Sequence, residues 1–190
     1  MNHQRRYIIL AAPSGSGKTT VAKYILQNYP QVQFSISSTT RSIRQNEVDG
    51  KDYYFLTREQ FLEKIEKQEV VEYEEIYGNY YGTMKDELQR LEQNNIIILF
   101  DIDVLGALNL SKIFLTSAVL LYIAPPSLEV LEQRLRLRST ETEEQIQKRL
   151  SRAKMELTFQ NQFDYVVVND SLEQTLSKVK EIIEKEFSFQ

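Results

Sequence analysis

An α/β fold built on a parallel sheet is predicted by three features of this 190-residue chain. Four runs, YIILAA (7–12), IIILFDID (96–103), AVLLYIA (118–124) and YVVVND (165–170), are apolar without alternation and end in small or polar residues. That is how strands buried on both faces read. The segments between them have helical spacing, so strand and helix alternate and right-handed crossovers follow. A glycine-rich turn follows the first run and opens a helix, and FSISS (34–38) is read as a fifth strand.

Taken in order, the first strand runs into APSGSGKT (12–19), which fits G-x-x-x-x-G-K-[ST] except that Ala12 stands at the first glycine. The helix after it, KTTVAKYILQNY, places Val21, Ile25 and Leu26 on an apolar face. In such a turn, backbone N–H groups and a helix N-terminus converge on an anion. Gly15 and Gly17 sit where a Cβ would crowd phosphates, Lys18 would reach the β and γ phosphates of ATP, and Thr19 would offer its hydroxyl to Mg²⁺. Pro13, Ser14, Ser16 and Thr20 complete the ATP-binding loop. The first glycine position has only to leave the strand, so Ala12 is expected at negative φ.

Residues 37–83 break the strand–helix rhythm with tyrosine-rich pieces, GKDYYF and YGNYYGT, that look like brief antiparallel strands with glycine turns. They are read as an insertion. Capping patterns start helices at TREQ (57–60), TEEQ (142–145) and SLEQ (171–174), and another begins at Ser127 after APP. Asp101 closes IIILFD, where an acidic group at the carboxyl edge of the sheet would lie near the metal. Residues 134–154 gather seven basic side chains against three acidic ones. Arg134 and Arg138 are one helical turn apart and share a face, and Arg149 begins the return on the next helix. Arg136 and Arg152 are read as a solvated face exchanging ion pairs with Glu143 and Glu144.

Composition narrows the function. An apolar content of 42% supports one ordinary globular core. The longest apolar stretch falls far short of the ~18 residues a membrane span needs. RRYIILAAP mimics a secretion signal but runs straight into the glycine-rich loop, so it is read as a strand and the protein as cytoplasmic. There is no cysteine and one histidine, His3 in the terminus, which excludes disulfides, a thiol nucleophile and a cysteine zinc site. A net charge of −4 argues against a nucleic-acid or anionic-membrane surface. The N-x-S triplets at Asn109 and Asn169 are read as coincidence.

Behind the loop stand, in order, SSTTR (37–41), EVDGKDYYF (47–55), GNYYGT (78–83), DID (101–103), IAPPS (123–127) and STETEEQIQKRL (139–150). With these motifs the chain resembles guanylate kinase over about residues 7–185. The resemblance implies a P-loop nucleoside monophosphate kinase fold: a five-stranded parallel sheet flanked by helices, a mixed α+β GMP-binding insertion and a small lid. The core would span about 1–36, 84–133 and 156–190, the insertion about 37–83 and the lid about 134–155. It implies phosphoryl transfer from ATP to GMP, and by extension dGMP, with Mg²⁺ as cofactor and Thr19 and Asp101 toward the metal. Arg41, Arg44, Tyr53 and Tyr81 would hold the acceptor phosphate. Glu72, with Ser37, Thr83 and Asp103, would read the base, while Lys18, Arg41, Arg134, Arg138, Arg149 and Asp101 would serve the transfer.

The chemistry agrees with that expectation. A phosphate acceptor is already largely ionised at neutral pH, with a second pKa of ~6, so the lack of an obvious general base is harmless. Guanine presents two donors on its pairing edge, N1–H and an exocyclic amine, and a carboxylate is matched to both. Four positions depart from the family pattern: Ile43 for proline, Asn46 for glycine, Ser139 for the lid glycine and Leu105 for glutamine. Two alternatives stay open, a scaffold domain of the same fold that holds phosphorylated peptides and a kinase acting on ribose bisphosphate. Retention of Lys18, Thr19 and Asp101 speaks against the first, and VVEYEEIYGNYYGT against the second. A monomer and a homodimer are both compatible with the sequence.

Overall fold

The computed structural model describes residues 5–93, 96–137 and 142–187. In chain order the strands are β1 (Tyr7–Ala11), β2 (Val32–Phe34), β3 (Ser38–Thr39), β4 (Tyr54–Phe55), β5 (Val70–Ile76), β6 (Asn79–Met84), β7 (Ile97–Ile102), β8 (Ala118–Ala124) and β9 (Tyr165–Val168). The helices are α1 (Lys18–Asn28), α2 (Arg58–Glu66), α3 (Lys85–Glu92), α4 (Val104–Phe114), α5 (Leu128–Leu137), α6 (Glu143–Leu157) and α7 (Leu172–Glu186).

The main sheet has five strands in the order β2-β7-β1-β8-β9, all parallel. Alternate residues of each central strand feed two separate cores, which is why the runs carry no alternation. Tyr7, Ile9 and Ala11 face Phe100, Val104, Leu110 and Phe114 on one side. Ile8, Leu10 and Ala12 face Val21, Ile25, Val179 and Ile183 on the other. Each fully buried Val, Ile, Leu or Phe among them contributes ~1.5–3 kcal/mol. β9 differs from the reading as a doubly buried strand: it forms the edge of the sheet, with Val166 42% and Val168 53% exposed.

The fifth strand also lies elsewhere than expected. Val32–Phe34 pairs with β7, whereas Ser38, the last residue of FSISS, opens β3 (Ser38–Thr39), which joins a second sheet of four strands in the order β4-β3-β6-β5. In that sheet β6 is antiparallel to β3 and β5, but β3 and β4 run parallel, so the insertion is mixed and not wholly antiparallel. The β5–β6 hairpin turns at Tyr77 and Gly78, both at positive φ, as a two-residue hairpin loop of the right twist requires. Phe61 of α2 is buried beneath this sheet and stacks on Tyr80 at 5.3 Å.

Thr57 and Thr142 each accept a hydrogen bond from the backbone N–H three residues on, and the Gln60 and Gln145 side chains accept from the cap N–H in return. These are two of the three capping patterns expected. Ser127 caps α5 by accepting from Val130 N–H at 3.3 Å, but Ser171 makes no side-chain cap to α7. Helices α5 and α6 share a small core of Leu131, Leu135, Ile146, Leu150 and Ala153. Among the described residues no helix is long and apolar enough to cross a membrane.

A nucleotide-sized cleft as the candidate active site

In a parallel sheet the loops after the strands emerge on one edge, and here β1, β7, β8 and β9 deliver the glycine-rich loop, Asp101 to Asp103, the start of α5 and Asn169 to the same side. A cleft of about 1030 Å³ opens there, lined by both sheets and by α1 and α6. Of the residues assigned from sequence, Pro13, Ser14, Gly15, Gly17, Lys18, Thr19, Thr20, Ser37, Arg41, Arg44, Tyr53, Glu72, Tyr81, Asp101, Asp103 and Arg149 all line it. Ser16 and Thr83 are fully buried beside it, and Arg138 and Ser139 lie outside the described residues.

The loop has the backbone its sequence demands. Gly15 and Gly17 sit at φ +96° and +94°, a region L side chains avoid, and Ala12 is at negative φ as expected. At Gly17 there is a second constraint: a Cβ would lie 2.2 Å from the Asn169 side-chain amide. That amide donates to the Ser16 carbonyl at 2.7 Å, and its oxygen accepts from the Thr175 hydroxyl at 3.0 Å. Asn169 therefore clamps the loop from β9. Arg134 reaches the same place, donating from Nη2 to the Asn169 carbonyl at 2.9 Å, and Arg149 donates to the Ser14 hydroxyl at 3.2 Å.

Lys18, at the start of α1, forms an ion pair with Asp101. Burial pushes its ammonium down to about 8, against the upward pull of Asp103 and Glu156. Across the cleft, Arg41 makes a bidentate pair with Glu47 at 2.8 and 3.0 Å, with its guanidinium carbon 5.5 Å from the centre of the Tyr53 ring. Tyr53 meets Tyr81 edge-on at 6.1 Å, so two hydroxyl-bearing rings and an arginine share one corner. Asn46 holds φ +75° in the adjoining turn, and asparagine tolerates that angle better than most residues, so its substitution for glycine keeps the backbone.

Glu72 is not the outward strand residue that β5 alone would suggest. It is 8% exposed, and its Oε1 accepts from the Thr83 hydroxyl at 2.9 Å. Burial, with the nearby Asp103 charge, pushes its carboxyl up to about 7 despite the Thr83 hydrogen bonds. Asp103 caps α4 by accepting from Leu105 N–H and Gly106 N–H at 3.0 and 3.1 Å. A Cβ at Gly106 would lie 2.8 Å from Glu72 Oε2 and 3.0 Å from Asp103 Oδ2, so only glycine lets both carboxylates approach the first turn of α4.

Three residues of this site escape sequence reasoning. Gly106 is a glycine inside a helical pattern, a signal of close approach. Asn169 ends a strand at the binding edge. Arg152 overturns the reading as a solvated charge: only Arg136 behaves so, pairing with Glu132 and Glu143 on the surface. Arg152 lines the cleft and lies between Glu74, Asp103 and Glu156 at 2.8, 3.5 and 2.7 Å. Burial and the facing Asp103 carboxyl push Glu74 up to about 8.

A phosphate-cradling loop at the carboxyl edge of this five-stranded sheet, faced across a cleft by a second sheet bearing arginines and a buried carboxylate, defines a P-loop nucleoside monophosphate kinase. The guanylate kinase family model matches residues 4–186. The chain is 46% identical to the guanylate kinase of Chlorobaculum tepidum over 93% of its length and 90% of that protein. It is 45% identical to that of Rickettsia felis over 96% and 95%. The crystal structure of guanylate kinase from Anaplasma phagocytophilum superposes with a TM-score of 0.78 at 30% identity, covering 100% of this chain and 90% of that one. The chain belongs to the guanylate kinase family.

Proposed function

We infer that the chain transfers the γ-phosphoryl group of ATP to the phosphate of GMP, ATP + GMP = ADP + GDP, within purine nucleotide metabolism. The observation that carries the choice of base is Glu72, buried and facing the cleft that the phosphate loop enters. As a carboxylate it accepts from both N1–H and the exocyclic amine of guanine, and adenine, with an acceptor at N1, is repelled. Thr83 steadies Glu72 and does not line the cleft itself, while Ser37 and Asp103 do. The nucleotide substrates support a cytoplasmic enzyme; dGMP fits the same pocket chemistry.

In the transfer, a GMP phosphate oxygen forms the new bond to phosphorus and the bond to the β-phosphate oxygen of ADP breaks. The acceptor is its own nucleophile, so what remains for the protein is alignment and charge neutralisation. Arg41, Arg44, Tyr53 and Tyr81 hold the acceptor phosphate; Lys18 and the loop amides hold the donor. Arg149, which donates to Ser14 of the loop, and Arg134, which donates to the Asn169 carbonyl behind it, serve the moving group together with Arg138, and the 134–155 segment excludes water so that ATP is not simply hydrolysed.

No cluster of three or more His, Cys, Asp or Glu side chains suited to a metal occurs among the described residues. The chain offers the Thr19 hydroxyl and the Asp101 carboxylate, and so small an oxygen set fits Mg²⁺, which binds through one or two carboxylates plus substrate phosphates. When bound, Mg²⁺ neutralises charge on those phosphates.

The test is a phosphorylation panel with ATP and GMP, dGMP, IMP, AMP, CMP and UMP. GMP should exceed AMP by at least ~10³-fold in kcat/KM, the scale reached when buried polar groups are left unmatched. Equal rates for the two would refute the role of Glu72. On the donor side, Gly17→Ala forces a Cβ into the Asn169 amide at an unfavourable φ. Its ATP affinity, read by calorimetry, should fall ~10²-fold or more, because the loop amides lose their convergence.

A further inference from the structure

The phosphate and base chemistry proposed above leaves Arg152, an arginine of the cleft wall, without a role. Arg152 rises from α6 with a side chain only 16% exposed. Its Nη2 is 2.8 Å from Glu74 on β5 and 3.5 Å from Asp103 at the cap of α4, while its Nε is 2.7 Å from Glu156 one turn further along α6. Three carboxylates from three elements converge on one guanidinium. With its donors engaged by three carboxyl groups, Arg152 has no free fork to turn toward a phosphate. A planar fork of donors can serve several carboxylates at once, which an ammonium cannot do equally.

What the arrangement joins is informative. Glu74 lies two residues from Glu72, and in a strand such residues share a face. Asp103 is the other carboxylate that Gly106 admits beside Glu72. Arg152 thus holds the two neighbours of Glu72, one in each sheet's territory, to a single helix. We propose that Arg152 is a positioning residue of the acceptor site, a cross-cleft strap that fixes β5 against α4 and α6 and so sets where Glu72 and Asp103 meet the base. This rests on the reading of Glu72 and Asp103 as guanine contacts. Without the guanidinium, the buried Glu74 and Glu156 carboxyls, already raised, take up protons, nothing ties β5 and α4 to α6, and the base-reading pair separates, whereas the phosphate loop, held by Asn169 from β9, keeps its shape.

The experiment compares Arg152→Met, Arg152→Lys, Arg152→Met/Glu74→Met and Glu72→Gln with the parent enzyme. It reads kcat, the KM for GMP and for ATP, and the GMP Kd by calorimetry, with circular dichroism as the check on folding. Arg152→Met should raise the GMP KM and Kd by ~10–100-fold, as expected when one partner of a buried charge cluster is removed. Its ATP KM should stay within about twofold, and Arg152→Lys should recover part of the loss. The double variant should lose less than Arg152→Met alone, because one uncompensated carboxylate has gone. If Arg152→Met does not fold, Arg152→Lys decides by the same split between nucleotides. GMP and ATP constants that both stay within about twofold, equal losses for both, or a double variant no better than Arg152→Met would each overturn the strap. Selective GMP loss in Glu72→Gln alone would sink the strap and leave the guanine reading standing; no GMP loss there would sink both.

Discussion

Lys18→Ala is expected to abolish phosphoryl transfer while the protein stays folded. The ammonium is the one cation placed at the mouth of the glycine-rich loop by the helix that loop opens, and its ion pair with Asp101 ties it to the acidic edge of β7. Preorganised cations at a transferring phosphoryl group are worth ~10³–10⁵ in rate, so kcat/KM should drop by at least ~10³-fold. Arginine is not a substitute, since a wide planar fork does not fit a position shaped for a point charge on a thin stem. The measurement is a coupled assay with GMP and ATP, with far-UV circular dichroism as control. Turnover within ~10-fold of the parent, a loss smaller than any of these mechanisms supplies, would remove Lys18 from the machinery.

Glu72→Gln should weaken GMP by ~10²–10³-fold in kcat/KM and leave the ATP KM within about twofold, because the amide turns a donor toward two donors. The same change should make the free protein more stable. An unfolded glutamate ionises near 4.5 and the folded Glu72 carboxyl near 7, raised first by burial and then by Asp103. Between those values the folded state binds more protons than the unfolded one, so stability falls as pH rises across that window, and the penalty is complete above about 7. It amounts to on the order of 3 kcal/mol, so the glutamine variant should melt ~6–12 °C higher at pH 8 in a chain of this size. For the parent, kcat/KM for GMP should fall as pH drops through about 7, as the carboxylate takes up its proton. In Glu72→Gln that limb should vanish and, on the acid side, only the substrate's own ionisation near ~6 should remain. A parent profile flat through 7, or a variant that melts lower, would contradict the assignment.

The central strands and the phosphate loop were legible because burial on both faces and a strand–turn–helix context leave a dense local signal. Local chemistry also gave the boxes at Thr57 and Thr142. What failed was whatever depends on the partner across space. FSISS reads as one strand, yet Phe34 belongs to the main sheet and Ser38 to the second, and no local pattern marks the handover between sheets. YVVVND has the composition of a central strand but takes the edge, since strand order is set by tertiary packing. Arg136 and Arg152 look alike on helical faces; the first meets glutamates of its own helix pair, the second meets β5 and α4. Glu72 needed the family resemblance, because a strand alone does not say which face a second sheet will turn toward a cleft.

The central place of β1 bears on how the chain is made. Its neighbours, β7 and β8, are encoded far downstream. At ~5–20 residues per second a ribosome needs on the order of ten seconds to deliver the first of them. Until then this apolar strand, with Ile8, Ile9 and Leu10 destined for complete burial, waits at the tunnel exit unpaired. Nascent chains of this enzyme are therefore natural clients for holding chaperones, and their yield should depend on synthesis speed more than the finished molecule's robustness would suggest.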